Sequence, residues 1–218
     1  MIVSYSGIGS YNKCPSQFQR KYVTKEYGAP YISSPAAERG TRLHKTVEDL
    51  INGKRDDLPE DINQYTQFFL NLRDKGAIAE KKFCLTQSWQ FTDFDDHENG
   101  MIRGMIDVTL PDPEEKEHTV YELKTGKEYD DHPQQRNLYG MVELMAYPKV
   151  EKVRVIGVYM DLNINRETTY YQNMIESYKY MWLRKINKVQ PPQPYPMRPG
   201  WYCRGCSFSK GNGGKCPN

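Results

Sequence analysis

The stretch that most constrains this chain runs from Gly104 to Gly126. It holds two segments, GMIDVT and YELKTGK, in which apolar and polar residues alternate and β-branched or aromatic residues recur, so each reads as a strand. Side chains in a strand return to one face every second residue. Glu122 and Lys124 therefore share a face, and Tyr121 and Leu123 go to the other. Asp107 lies in the preceding strand. Two carboxylates on neighbouring strands, beside a lysine, can hold a divalent cation and place a water against a phosphodiester.

The chain has 218 residues, enough for one well-cored domain, and no internal repeat suggests two. Its net charge of +2 permits nucleic-acid binding without demanding it, so local basic patches would have to supply the attraction. No run approaches the roughly 18 apolar residues of a membrane span. The opening MIVSYSGIGSYNK lacks the basic start and apolar core of a secretory signal. A cytoplasmic chain with no membrane partner is expected, and its five cysteines point to reduced thiols or metal ligation before disulfides.

Around the central stretch the periodicities predict further elements. In an N-terminal segment over 1–30, Tyr11, Phe18 and Tyr22 share helical spacing with Cys14, interrupted by Pro15, which places a short helix there with Cys14 near its start. Residues 35–52 form an amphipathic helix with Leu43, Val47, Leu50 and Ile51 as its stripe, and His44 and Glu48 project together from its edge as a surface pair. A second helix follows over roughly 62–75. Residues 79–91 alternate as one long strand containing Cys84, a small buried hydrophobe rather than a ligand. Strands near 101–110 and 119–125 then pair across the turn-rich PDPEEKEH, a helix covers 131–147 with Gln135 and Tyr139 one turn apart, and a strand covers 152–162. A strand, helix and strand in succession imply a crossover and a parallel pair, so the sheet is mixed. A final helix spans 171–189 and ends the core of 35–189.

Residues 190–200 are proline-rich and should be extended. They lead to a tail, 201–218, with Cys203, Cys206 and Cys216 but too few hydrophobic residues for a core, so it needs an external organiser. With Cys14 these make four thiolates, enough for a tetrahedral Zn²⁺ site or an iron–sulfur cluster. A trio that binds without Cys14 is the third arrangement.

Taken in order, GTRLH with His44, GMID with Asp107, ELK with Glu122 and Lys124, and QRNLY with Gln135 and Tyr139, the sequence resembles a PD-(D/E)XK nuclease of the RecB type. The cysteine-flanked ends resemble its stand-alone versions. The resemblance covers nearly the whole chain as a single nuclease domain. It implies an α/β, restriction-endonuclease-like core, a mixed β-sheet flanked by helices, with a cysteine-bound cluster joining the N- and C-terminal segments. By the same resemblance Asp107 and Glu122 are metal carboxylates, and His44 and the backbone carbonyl of Leu123 are further ligands to Mg²⁺ or Mn²⁺. Lys124 orients the attacking water, Gln135 and Tyr139 steady Lys124 or the DNA strand, and Cys14, Cys203, Cys206 and Cys216 hold a 4Fe-4S cluster. Nine residues separate Cys206 from Cys216, more than the family usually has, which keeps structural zinc open.

The implied activity is metal-dependent hydrolysis of DNA, as an exonuclease on single strands or free ends in recombination, repair or DNA processing. A helicase, recombinase or CRISPR-adaptation protein is the implied partner. Two competing readings are a catalytically silent DNA-binding or scaffolding subunit, and a zinc-dependent nucleic-acid binder whose activity lies in the tail.

Overall fold

The structure is a computed structural model that describes residues 1–26, 34–112, 116–191 and 194–217. The last residues of the predicted N-terminal segment, the middle of the 111–118 turn and two residues of the proline-rich stretch fall outside the described residues.

Six strands form one sheet in the order β2-β1-β3-β4-β5-β6. They are β1 (Ile78–Thr86), β2 (Phe91–Thr92), β3 (Gly100–Asp112), β4 (Glu117–Lys124), β5 (Lys152–Tyr159) and β6 (Ile164–Tyr171). β3 and β4 are antiparallel, with Val108 opposite Tyr121, whereas β4 and β5 are parallel, with Glu122 opposite Gly157. The sheet is mixed, as the strand–helix–strand order requires. The helices are α1 (Tyr5–Lys13), α2 (Pro15–Phe18), α3 (Pro35–Ile51), α4 (Thr66–Asp74), α5 (His132–Ala146) and α6 (Ile175–Val189).

The chain divides into two compact units. The larger comprises Ser34–Phe83 and Met105–Trp182. Its core forms where the stripe of α3, Leu43, Val47, Leu50 and Ile51, meets Phe69 and Leu72 of α4, Val108 of β3, Tyr121 and Leu123 of β4, and Ile156 and Val158 of β5. Helix α3 starts where the sequence allows it: the Ser34 hydroxyl accepts from the Ala37 N–H at 3.2 Å and Pro35 occupies the first turn. Such a cap contributes about 1 kcal/mol. Alternation along β4 sends Glu122 and Lys124 to the opposite face of the sheet, the face that Tyr139 and Glu143 of α5 cover.

The smaller unit comprises Met1–Ser33, Cys84–Gly104 and Leu183–Asn218. Its N-terminal helix α1 is capped by the Ser4 hydroxyl, which accepts from the Gly7 N–H at 3.1 Å. Buried Phe18 packs against Tyr11 and Tyr195, with ring centroids 5.6 and 6.1 Å away. Tyr202 Oη lies 2.8 Å from the Lys13 carbonyl, and Arg198 donates to the Asn12 carbonyl at 3.1 Å.

Four expectations change. The single helix at Cys14 becomes α1 and α2, with Cys14 in extended backbone between them, because Pro15 cannot continue a helix from α1. The long strand over 79–91 is a hairpin: Trp89 adopts φ +63°, and the Thr86 N–H donates to the Gln90 carbonyl at 2.9 Å. The final helix begins at Ile175 rather than 171, since Tyr171 closes the unpredicted edge strand β6. That strand, INRETTYY, is polar on both faces, so no apolar alternation announces it. Finally, His44 and Glu48 do not form a surface pair: His44 turns to Asp107, and Glu48 pairs with Lys45 at 2.8 Å.

Candidate active site

The site builds up on the larger unit from four elements. β4 contributes Glu122 and Lys124, which share a face by strand alternation, and Lys124 Nζ donates to Glu122 Oε1 at 2.6 Å. β3 contributes Asp107, whose Oδ2 accepts from the Leu123 N–H at 2.7 Å, so one carboxylate of the site is anchored to the backbone of the next strand. Helix α3 contributes His44, with Nδ1 3.3 Å from Asp107 Oδ1. Helix α5 contributes Gln135, whose Oε1 accepts from Lys124 Nζ at 2.7 Å and whose Nε2 donates to Tyr139 Oη at 3.0 Å. The structure therefore brings together Asp107, Glu122, Lys124, Gln135, Tyr139, His44 and the Leu123 backbone.

It also brings in a residue the sequence did not announce. Ligand atoms of His44, Glu80 and Asp107 all lie within 4.8 Å of one another. Glu80 sits in β1 with φ +52°, left-handed backbone that a glutamate rarely adopts. Ala-Glu-Lys-Lys reads as ordinary alternation, so nothing in the sequence marks this turn of the chain toward the site.

The electrostatics describe a site short of positive charge. Three carboxylates, Glu80, Asp107 and Glu122, face one lysine and one histidine. Glu122 is 3% exposed, and its Oε2 is buried without a hydrogen-bond partner. Burial, reinforced by the charge of Asp107, pushes its pKa up to about 8. Burial and then Asp107 also raise Glu80. For His44, burial pulls downward, but the hydrogen bond and charge of Asp107 and the charge of Glu122 leave the imidazole above its usual range. Tyr139 is raised well above the ordinary phenol value, first by burial and then by Glu122 and Asp107, so its hydroxyl stays protonated. A buried, unpartnered carboxylate oxygen among hard oxygen donors and an imidazole fits a divalent cation of the Mg²⁺ or Mn²⁺ kind.

In the smaller unit, Cys14, Cys203, Cys206 and Cys216 line one small cavity of about 20 Å³ together with Tyr202 and Phe208. All four are free thiols. Cys206 Sγ accepts from Gln17 Nε2 at 3.4 Å, Cys203 Sγ accepts from the Gly200 N–H at 3.4 Å, and Cys216 Sγ lies 3.7 Å from Met197 Sδ. The tail turns back on itself beside these thiols, with the Cys216 N–H donating to the Phe208 carbonyl at 2.7 Å. Cys84 is buried apart from this set, and burial raises its thiol pKa.

A mixed sheet flanked by helices, with acids, an imidazole and a lysine gathered on its central strands, defines a restriction-endonuclease-like α/β protein. The profile of the PD-(D/E)XK nuclease superfamily matches residues 2–210, and the chain belongs to that superfamily of metal-dependent nucleases. No curated protein sequence matches the chain. Among solved structures it is similar to SSO0001, at 16% identity and a TM-score of 0.47, covering 95% of this chain and 83% of the other. It is also similar to a protein of Eubacterium rectale described as a candidate exonuclease, at 13% identity and a TM-score of 0.49, covering 89% and 83%. Among the described residues no helix is long and apolar enough to cross a membrane.

Proposed function

We propose that this nuclease is a Mg²⁺- or Mn²⁺-dependent exodeoxyribonuclease acting on single-stranded or end-containing DNA in recombination, repair or related DNA processing. The observation that carries the reading is the buried, unpartnered Glu122 Oε2 beside the Asp107, His44 and Glu80 donors. Asp107, Glu122, His44, Glu80 and the Leu123 carbonyl are the residues that would hold the cation. When bound, it would activate water and neutralise charge on the scissile phosphate.

The protein's own groups have separate work. Lys124 carries three N–H donors and spends two on Glu122 and Gln135. The third is left to orient the attacking water or to meet charge developing on a phosphate oxygen. Gln135 fixes the ammonium because its amide is itself fixed: one end accepts from Lys124 and the other donates to Tyr139. The four cysteines would hold a structural 4Fe-4S cluster, or in its place Zn²⁺, that would fasten the tail to the segment around Cys14, and hydrolysis requires no electron from it.

The experiment is an assay on end-labelled single-stranded and duplex DNA with Mg²⁺ or Mn²⁺, beside Glu122→Ala and Lys124→Ala. Shortening from ends that both substitutions abolish is expected. Substrate left whole by the unaltered protein under every condition would instead favour a catalytically silent DNA-binding or scaffolding subunit. DNA affinity that survives Asp107→Ala and disappears with Cys203→Ala would move the activity to the tail.

A further inference from the structure

Helix α5 presents Gln135, Tyr139 and Glu143 at intervals of four residues, hence on one face. The first two belong to the site. The third, Glu143, is 0% exposed, far from where a carboxylate normally lies, and three strands converge on it. Lys81 of β1 donates to its Oε2 at 2.7 Å, Thr109 of β3 donates to its Oε1 at 2.9 Å, and His118 Nδ1 of β4 lies 3.0 Å from the same Oε1. The Tyr147 ring closes the cluster, 4.5 Å from Lys81 Nζ and 4.3 Å from the His118 ring. Thr109 lies two residues beyond Asp107 on its strand, His118 four before Glu122, and Lys81 directly follows Glu80. Every strand that carries an acid of the site is thus tied to one carboxylate.

We propose that Glu143 is a positioning residue for phosphodiester hydrolysis, locking α5 in register on the sheet so that Gln135 meets Lys124 and β1 presents Glu80. This rests on the nuclease reading above. The rest of the buried surface of α5 is apolar at Leu138, Met141, Val142 and Leu144, and apolar ridges specify a helix's translation loosely. Its buried Arg136 donates to Tyr159 at 3.4 Å on β5, a strand that carries none of the acids of the site. A buried ion pair does not outdo hydrophobic packing in stability, and fixing register is its best-attested use. Burial opposes the charge on Glu143, but the hydrogen bond from His118 and then Lys81 overcome it, so the carboxylate is ionised when it makes these bonds. The arrangement ties Lys124 to β1, β3 and β4 through a single helix.

The test compares Glu143→Gln, which sets an NH₂ donor against Lys81 and His118, with Leu144→Ala, a core substitution on the same helix chosen to lower Tm by a similar amount. In Glu143→Gln, kcat on DNA falls about 10- to 100-fold with KM unchanged, and the Gln135 side-chain amide resonances move. In Leu144→Ala, kcat of the folded protein is retained. A Glu143→Gln protein with undiminished kcat and unmoved Gln135 signals overturns the proposal, as does a loss of kcat equal to that of Leu144→Ala. If Glu143→Gln does not fold, Lys81→Met removes one arm of the cluster, and an undiminished kcat there overturns the proposal instead. If the unaltered protein cleaves no DNA, the nuclease reading fails, and the register claim is judged on the Gln135 resonances alone, which Glu143→Gln must shift.

Discussion

Lys124 Nζ lies 2.6 Å from Glu122 Oε1 and 2.7 Å from Gln135 Oε1, so a cation on the strand is shared between a carboxylate of its own strand and an amide of α5. Both acceptors orient the ammonium, but only Glu122 is also placed to hold a metal. Lys124→Ala should therefore lower kcat by about 10²–10³ without altering metal affinity, whereas Gln135→Ala should cost roughly 10-fold. Single-turnover cleavage and Mn²⁺ calorimetry on the same proteins separate the two effects.

Glu80 supplies a sharper test because the sequence motifs do not include it. Glu80→Gln should weaken Mn²⁺ binding about 10- to 100-fold while leaving the fold intact. Calorimetry of Mn²⁺ titrated into the variant reads this directly, and unchanged affinity would remove Glu80 from the metal set.

The pH dependence follows from Glu122. Its folded pKa of about 8 lies above the unfolded value of 4.5, so the folded state binds the proton more tightly. Stability from this group is full below pH 4.5 and is lost as pH rises through 8. His44, also raised, acts in the same direction. Metal-free protein should lose Tm between pH 5 and 9, Glu122→Gln should flatten that slope, and Mn²⁺ should reverse it while releasing protons. Thermal melts in chelator and in Mn²⁺ across this range check all three.

Gly140 follows Tyr139 on α5, and a Cβ there would run into the Tyr170 ring of β6. Gly140→Ala gains helix propensity but overpacks this contact, for a net loss of about 1–3 kcal/mol. Denaturant unfolding measures it.

Protein purified without air should be brown, with iron and sulfide in equal amounts, and Cys203→Ser should lose both the colour and several degrees of Tm. Colourless protein with one zinc would replace the cluster by a tetrahedral Zn²⁺ site.

Much of this architecture was readable from periodicity. The apolar stripe of α3, the alternation in β3 and β4 and the strand–helix–strand order fix the mixed sheet, because each leaves a repeating apolar signal. Edge strand β6 leaves none, since its pairing comes from backbone and, of its side chains, only that of Tyr170 is buried. The site divides in the same way. Glu122 and Lys124 follow from a two-residue repeat, but Glu80 reaches His44 and Asp107 through one left-handed residue, and Glu143 through partners scattered over 62, 34 and 25 positions of the chain. Such long-range meetings have no local period to betray them. Trp89 misled for the opposite reason: it keeps the alternation while its backbone reverses.

The cavity lined by cysteines has a consequence for biosynthesis. The Gln17–Cys206 hydrogen bond joins positions 189 apart, and Cys14 is as distant from Cys203. At roughly 5–20 residues per second, Cys14 is translated about 10–40 s before the thiols that complete its wall. The four-thiol wall is incomplete during most of elongation, so any group it held would have to enter late, and a nascent chain stalled upstream of Trp201 carries only Cys14 of the four.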